Sequence, residues 1–238
     1  MESGYSIAYN HTCRLIANLK HKPIGVNSML RRSFLAIAAL CLLTGPLFAD
    51  GKPSEWKELF DGKTFEGWKL NENKDSWSIE DGMLVSFGER SHLFYEGEDQ
   101  PFKNFEFECE CKTTPGSNAG IYFHTKFQET GWPRFGQECQ VNVSHSDPKK
   151  SGSLYGVVDV GNPPLKDNEW YTTYIKVVGK HVLIKVNDTV TVDYTEPDGK
   201  EAFSPDFERR LGEGTFALQA HDPKSKVYFR NLKVRRLP

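Results

Sequence analysis

No segment of this chain repeats apolar residues at helical spacing, and none is long enough to cross a bilayer as a helix. The longest apolar run, Phe34 to Leu43, falls well short of the about 20 residues a membrane helix needs. Phosphate-cradling glycine loops, dinucleotide fingerprints and the strand–turn–helix serine elbow are all missing, which excludes the common nucleotide-binding and serine-hydrolase classes. No Cys-x-x-Cys spacing exists, which argues against a structural zinc site. Charge of one sign is also lacking: 30 Lys plus Arg face 32 Asp plus Glu, a net of −2. Nucleic acid and anionic membrane are therefore poor partners, and neutral ligands remain open.

The one apolar run has a specific context. Met29-Leu30-Arg31-Arg32 precedes it and Thr44-Gly45-Pro46-Leu47-Phe48-Ala49 follows, the layout of a signal peptide over 29–49 cut after Ala49. Cys41 follows Leu40 rather than a small residue, which argues against a lipoprotein anchor. Residues 1–28 read as an over-extended start or a disordered leader. The expectation is a bacterial protein that is secreted or periplasmic, with one domain over 50–238. Losing the leader removes Arg14, Lys20, Lys22, Arg31 and Arg32 but only Glu2, so that domain is mildly acidic.

Three cysteines remain in it: Cys109, Cys111 and Cys139. Cys109 and Cys111 share one strand face, a poor geometry for pairing with each other. Either could bridge to Cys139; the simpler reading is three small core residues.

What the domain does have is many short strands. Trp77–Glu80, Asp81-Gly82 and Met83–Ser86 predict a hairpin. Phe105 to Lys112 alternates strictly, with Phe105, Phe107, Cys109 and Cys111 opposite Glu106, Glu108, Glu110 and Lys112. Leu154–Val160, Trp170–Val178, His181–Val186, Thr189–Tyr194, Thr215–His221 and Val227–Val234 are further expected strands, with at most a turn of helix near 207–211. Roughly a dozen strands in one domain predict an all-β, two-sheet antiparallel sandwich of jelly-roll type.

Three strands have apolar backs and hydrogen-bonding fronts. Glu138, Gln140 and Asn142 oppose Cys139, Val141 and Val143; Tyr122 and His124 oppose Ile121 and Phe123; Gln219 and His221 oppose Phe216, Leu218 and Ala220. Such fronts suit a sugar-binding face, although an ordinary solvated face would look the same.

Several segments, in order, resemble the 3-keto-disaccharide hydrolase domain family. They are Glu58-Leu59-Phe60-Asp61-Gly62-Lys63-Thr64 with Gly67-Trp68; Trp77 with Glu80-Asp81-Gly82-Met83-Leu84; Asn118-Ala119-Gly120-Ile121-Tyr122-Phe123; Glu138-Cys139-Gln140; Ser153-Leu154-Tyr155-Gly156; Asn168-Glu169-Trp170; and Gln219-Ala220-His221 with Phe229-Arg230-Asn231. The resemblance spans Trp56 to Leu237. It implies a concanavalin-like jelly roll with its cleft on the concave sheet, secretion in a bacterium, and action on glycosides whose C3 hydroxyl has become a ketone. The chain departs from the family at two places: His124 stands where Arg is frequent, and Asn142 where Asp is frequent.

A C3 ketone acidifies the C2 proton. A base can remove it, the aglycone leaves from C1, and water adds back. On this reading Glu138, His221 and His124 are the candidate catalytic residues, with Glu138 and His221 as base and acid. Gln140, Asn118, Tyr155, Asn142 and Gln219 are candidate substrate contacts. No cofactor is specified, but His124, Glu138 and His221 could instead hold a divalent metal. Two other readings compete. Glu106, Glu108 and Glu110 could serve a retaining glucanase-like mechanism, since alternate strand residues lie about 6.6 Å apart. The same polar front could also belong to a non-catalytic carbohydrate-binding module, which would show a shallow aromatic groove rather than a deep pocket.

Overall fold

Short runs of β-branched and aromatic residues punctuated by Gly, Asn and Asp dictate strands joined by tight turns. The computed structural model describes residues 52–238. The leader at 1–28, the signal peptide at 29–49, Cys41 and the expected domain start at Asp50 lie outside the described residues.

In chain order the strands are β1 (Lys57–Glu58), β2 (Trp68–Leu70), β3 (Trp77–Glu80), β4 (Met83–Phe87), β5 (Ser91–Tyr95), β6 (Phe105–Thr113) and β7 (Asn118–Thr125). They continue with β8 (Gln137–Asn142), β9 (Tyr171–Val178), β10 (His181–Val186), β11 (Thr189–Thr195), β12 (Thr215–Ala220) and β13 (Lys226–Arg236). One sheet runs β11-β10-β9-β6-β13-β4-β3, with β1 beside β13; the other runs β2-β5-β12-β7-β8. Every pairing is antiparallel. This is the all-β, two-sheet sandwich that the alternation predicts.

The core lies between the sheets. Phe105, Phe107, Cys109 and Cys111 of β6 meet Ile121 and Phe123 of β7, Cys139 and Val141 of β8, and Phe216 and Leu218 of β12. Phe216 is central, with its ring centroid 4.9 Å from Phe102, 5.0 Å from Phe105 and 4.7 Å from Phe107. Cys109, Cys111 and Cys139 are all free and buried, as small core residues. The β3–β4 hairpin forms as expected: Asp81 (φ 49°) and Gly82 (φ 78°) both adopt the left-handed backbone its two-residue turn demands.

Two expectations need correcting. Leu154–Val160 is not a strand. Leu154 and Val158 exchange backbone bonds of 3.0 and 2.8 Å with each other, so the segment folds on itself as a loop. Residues 207–211 form no helical turn, and the one short helix among the described residues is a 3₁₀ turn at Lys74–Ser76. Strand β5 carries no alternation to read, because both its faces are buried.

Glu106, Glu108 and Glu110 point away from the core on β6, in the larger sheet. Each is met by a cation from β13: Arg235 on Glu106, Lys233 on Glu108 at 2.8 Å, and Arg230 on Glu110 at 2.6 Å. They form a cross-strand charge ladder rather than a catalytic pair.

The smaller sheet differs: β5, β7, β8 and β12 are buried on both faces. Loops at 126–136, 144–160 and 196–214 cover the side away from the core, and the first and third are joined by the Glu208 amide donating to the Arg134 carbonyl at 2.8 Å. The polar fronts are therefore enclosed rather than solvated.

Truncating Phe216 to Ala is expected to cost about 3–5 kcal/mol, because three rings pack against this one. Urea denaturation of the purified protein measures it; a loss below about 1 kcal/mol would contradict this packing.

Candidate active site

Register brings the predicted fronts together. Tyr122 lies opposite Glu138 and Gly120 opposite Gln140 across β7 and β8, while β12 flanks β7 on the other side. Alternation then aims Tyr122, Glu138, Gln140 and Gln219 into one pocket with a volume of about 460 Å³. Trp132, Tyr155, Phe203, Phe207 and Arg209 wall it from the loops, and His221 stands at the end of β12. That volume lies within the range of pockets that enclose small ligands.

Glu138 forms the floor, at 4% exposure. Gln219 Nε2 donates to its Oε1 at 3.0 Å and also to the Tyr122 phenol at 3.0 Å. Arg209 Nη1 stands 3.5 Å from Oε2. Burial pushes the Glu138 carboxyl above its ordinary range, and Arg209, Tyr122 and Gln219 counter this only in part. Beside it, Gln140 Nε2 donates to Asn118 Oδ1 at 3.1 Å. The Oε1 atoms of Gln140 and Gln219 are buried and have no protein partner, so the floor retains unspent hydrogen-bonding capacity.

Gly120 makes this arrangement possible. A Cβ at that position would lie 2.5 Å from Glu138 Oε1. The glycine is required by the close approach of the carboxylate, not by its backbone angle.

His221 is oriented by its neighbour: Nδ1 shares a 2.7 Å bond with Asp222 Oδ2. Although burial opposes it, bonds from His221, the Lys224 amide and Ser225 hold Asp222 below its usual value. The His221 ring stands 5.3 Å from Trp132, centroid to centroid. Across the pocket, the Tyr155 hydroxyl donates to Asp147 Oδ2 at 3.1 Å, and burial together with Asp147 pushes the phenol up to about 12. Behind Trp132 lies His92, fully buried; burial, then Arg90 and His221, push it down to about 3, so it is neutral.

The structure thus gathers Glu138, Gln140, Asn118, Tyr155, Gln219 and His221 around one cavity. It does not bring His124 or Asn142 there. His124 has φ 56°, which turns its side chain out of the alternation of β7. Its Nε2 donates to the Lys103 carbonyl at 2.9 Å and its Nδ1 accepts from the Gly212 amide at 3.1 Å, so both nitrogens are committed. Asn142 is likewise used locally: Nδ2 donates to the Asp147 and Lys149 carbonyls and Oδ1 accepts from the His145 amide, which shapes the 144–160 loop. With His124 elsewhere, the trio His124, Glu138 and His221 does not converge. The group of possible metal-holding side chains that does converge, among the described residues, is His145, His221 and Asp222.

Sequence reasoning missed Arg209, Phe203 and Phe207. All three sit on a loop without periodicity, where only an aromatic-and-basic composition hinted at a role.

Substituting Gly120 with Ala is expected to displace the Glu138 carboxylate, lower turnover by about 100-fold and cost about 1–3 kcal/mol of stability through overpacking. Turnover at wild-type rate in a folded Gly120→Ala protein would contradict the geometry.

Comparison with known proteins agrees with this architecture. Solved structures of two candidate glycosyl hydrolases from Parabacteroides distasonis share the fold. One has a TM-score of 0.64 at 22% identity, covering 77% of this chain and 94% of that one; the other has 0.61 at 24%, covering 77% and 100%. A 3-keto-disaccharide hydrolase from Bacteroides thetaiotaomicron is 30% identical over 250 residues, 84% of this chain and 83% of the relative. The profile of one domain family matches residues 55–235, and with that span and that relative the chain belongs to the 3-keto-alpha-glucoside-1,2-lyase-like domain family.

Proposed function

We propose that this protein is an exported enzyme that cleaves 3-keto-glycosides by elimination and rehydration. The observation that carries the reading is a buried carboxylate, Glu138, at the floor of a loop-walled pocket that also holds an aspartate-oriented histidine. A pocket whose floor is a buried carboxylate favours catalysis over the shallow platform of a binding module. The family and the name of the Bacteroides relative support the substrate class. Export rests on the signal-peptide layout of residues 29–49. Among the described residues, no helix is long and apolar enough to cross a membrane.

Glu138 takes the C2 proton, and the C–H electron pair moves onto the C3 oxygen as an enolate. The pair returns to form C1=C2 as the C1–O bond breaks, and His221 donates a proton to the departing oxygen. Water then adds across the double bond, hydroxyl to C1 and proton to C2, for a net hydrolysis. Asp222 keeps the His221 ring turned for this step. Asn118, Gln140 and Gln219 offer amides to sugar hydroxyls, and Tyr155 and Trp132 offer aromatic faces.

A divalent cation is a second arrangement, favoured by one observation. Ligand atoms of His145, His221 and Asp222 lie within 4.8 Å of one another. His145 Nδ1 accepts the Asp147 amide at 3.0 Å, which puts its proton on Nε2. Ligation through Nε2 needs that proton moved, at a cost of about one hydrogen bond, roughly 1 kcal/mol. A cation held there would polarise a substrate oxygen. Adding manganese to chelator-treated protein would then raise the thermal midpoint, and His145→Ala would abolish the shift; no shift in the wild type would remove this arrangement.

The main test offers 3-keto-trehalose, 3-keto-cellobiose and the unoxidised sugars to the purified protein. Expected is release of 3-keto-glucose from the oxidised substrates alone, lowered about 100-fold or more in Glu138→Gln and unchanged in Glu106→Gln. Binding without turnover would leave a carbohydrate-binding module; cleavage of unoxidised glucan that depended on Glu106 would restore the glucanase reading.

A base must be ionised, so activity falls as pH drops through the Glu138 pKa. Burial raises that pKa against Arg209 from the 196–214 loop, Tyr122 from β7 and Gln219 from β12. The acid limb of kcat/KM is therefore expected above the 4.5 of an ordinary glutamate. A limb at or below that value would count against Glu138 as the base.

A further inference from the structure

One cation in the pocket wall has incomplete bonding. Arg209 is 9% exposed, yet its Nε has no partner. Nη1 donates to the Tyr155 carbonyl at 2.9 Å and stands 3.5 Å from Glu138 Oε2, a long ion pair. The guanidinium lies 4.6 Å from the Tyr155 ring centroid, 5.3 Å from Phe203 and 5.7 Å from Phe207. Aromatic faces recover part of the cost of burying a cation, but they do not satisfy its N–H groups.

The backbone around it is fixed at some cost. Arg209 has φ 44°, a left-handed conformation uncommon outside glycine. Its carbonyl accepts from Gln137 Nε2 at 2.7 Å and Lys200 Nζ at 2.6 Å. The buried Glu196 carboxylate takes the Leu211 amide at 3.1 Å and Lys200 Nζ at 3.3 Å. These bonds hold the main chain of the loop and leave the guanidinium free to serve the pocket. Strain of this kind, held in place by surrounding bonds, is characteristic of functional sites.

We propose that Arg209 is the oxyanion-binding residue of the pocket, the fixed cation that holds the substrate's C3 oxygen as it becomes anionic. This rests on the 3-keto-glycoside reading. In the free enzyme the negative charge opposite Arg209 is Glu138. When the C2 proton passes to Glu138, that charge moves to the C3 oxygen and the carboxyl becomes neutral. The count of charges in the pocket does not change, only their position. A planar guanidinium already in the pocket wall, 3.5 Å from the carboxylate that takes the proton, meets the new anion without reorganisation. A lysine could not reproduce a planar fork.

The test uses Arg209→Gly, since glycine adopts the required φ without strain and the bonds to the residue-209 carbonyl survive. Expected is a folded protein with a lowered thermal midpoint, since buried Glu138 loses its cation, a kcat on 3-keto-trehalose lower by about 100- to 1,000-fold, and a KM changed far less. Millimolar guanidinium should restore much of the loss and methylammonium should not; Arg209→Lys should stay well below wild type. Retained kcat, a loss confined to KM, or no rescue by guanidinium in a folded protein would overturn the proposal. Should wild-type protein turn over no 3-keto-glycoside, the functional reading fails separately. Arg209 is then decided by calorimetry with 3-keto-glucose and glucose. A preference for the ketone that Arg209→Gly abolishes supports the assignment; an equal or unaltered preference overturns it.

Discussion

The architecture of the pocket turns on holding one carboxylate away from water. An ionised glutamate buried without partners is strongly disfavoured, so its surroundings must compensate it or keep it protonated. Glu138 is compensated in part: an amide from Gln219, a phenol from Tyr122 and a guanidinium from Arg209 surround it, and its pKa remains raised. A carboxylate only partly compensated is a better base than one fully neutralised. Each supporting group comes from a different element, which makes the register of β7, β8 and β12 and the placement of the 196–214 loop mutually dependent. Gly120 is the steric condition for all of it.

The contrast with the other sheet shows how environment assigns roles. Glu106, Glu108 and Glu110 have the same chemistry as Glu138 and the same alternate spacing on a strand. Cross-strand Arg and Lys neutralise each of them on the outer face of the larger sheet. Although burial opposes it, hydrogen bonds from Arg235 and Tyr174 hold Glu106, and bonds from Asn231 and Arg230 hold Glu110, below their ordinary range, the opposite direction to Glu138. A carboxylate stabilised as an anion in this way is well suited to an ion-pair ladder and poorly suited to abstracting a proton.

Much of this was legible from period-two alternation. The apolar backs of β6, β7, β8 and β12 identified the core, and the polar fronts of the last three identified the floor of the pocket. What escaped had physical reasons. β5 is buried on both faces, so it shows no alternation, and His92 was hidden with it. His124 follows the pattern in sequence but leaves it in space, because its left-handed backbone rotates the ring between Lys103 and Gly212. Leu154–Val160 has the composition of a strand but closes on itself through Gly156, at φ 72°. Arg209 sits on a loop held by tertiary bonds from Gln137, Lys200 and Glu196, and no local pattern encodes such bonds.

The proposed chemistry has Glu138 remove a proton from C2 before the glycosidic bond is cleaved. Comparing kcat/KM for a 3-keto-glycoside carrying hydrogen or deuterium at C2 tests it most directly. Expected is a primary isotope effect clearly above unity, with turnover lost in Glu138→Gln. Equal rates for the two isotopologues, together with full turnover in the variant, would contradict it.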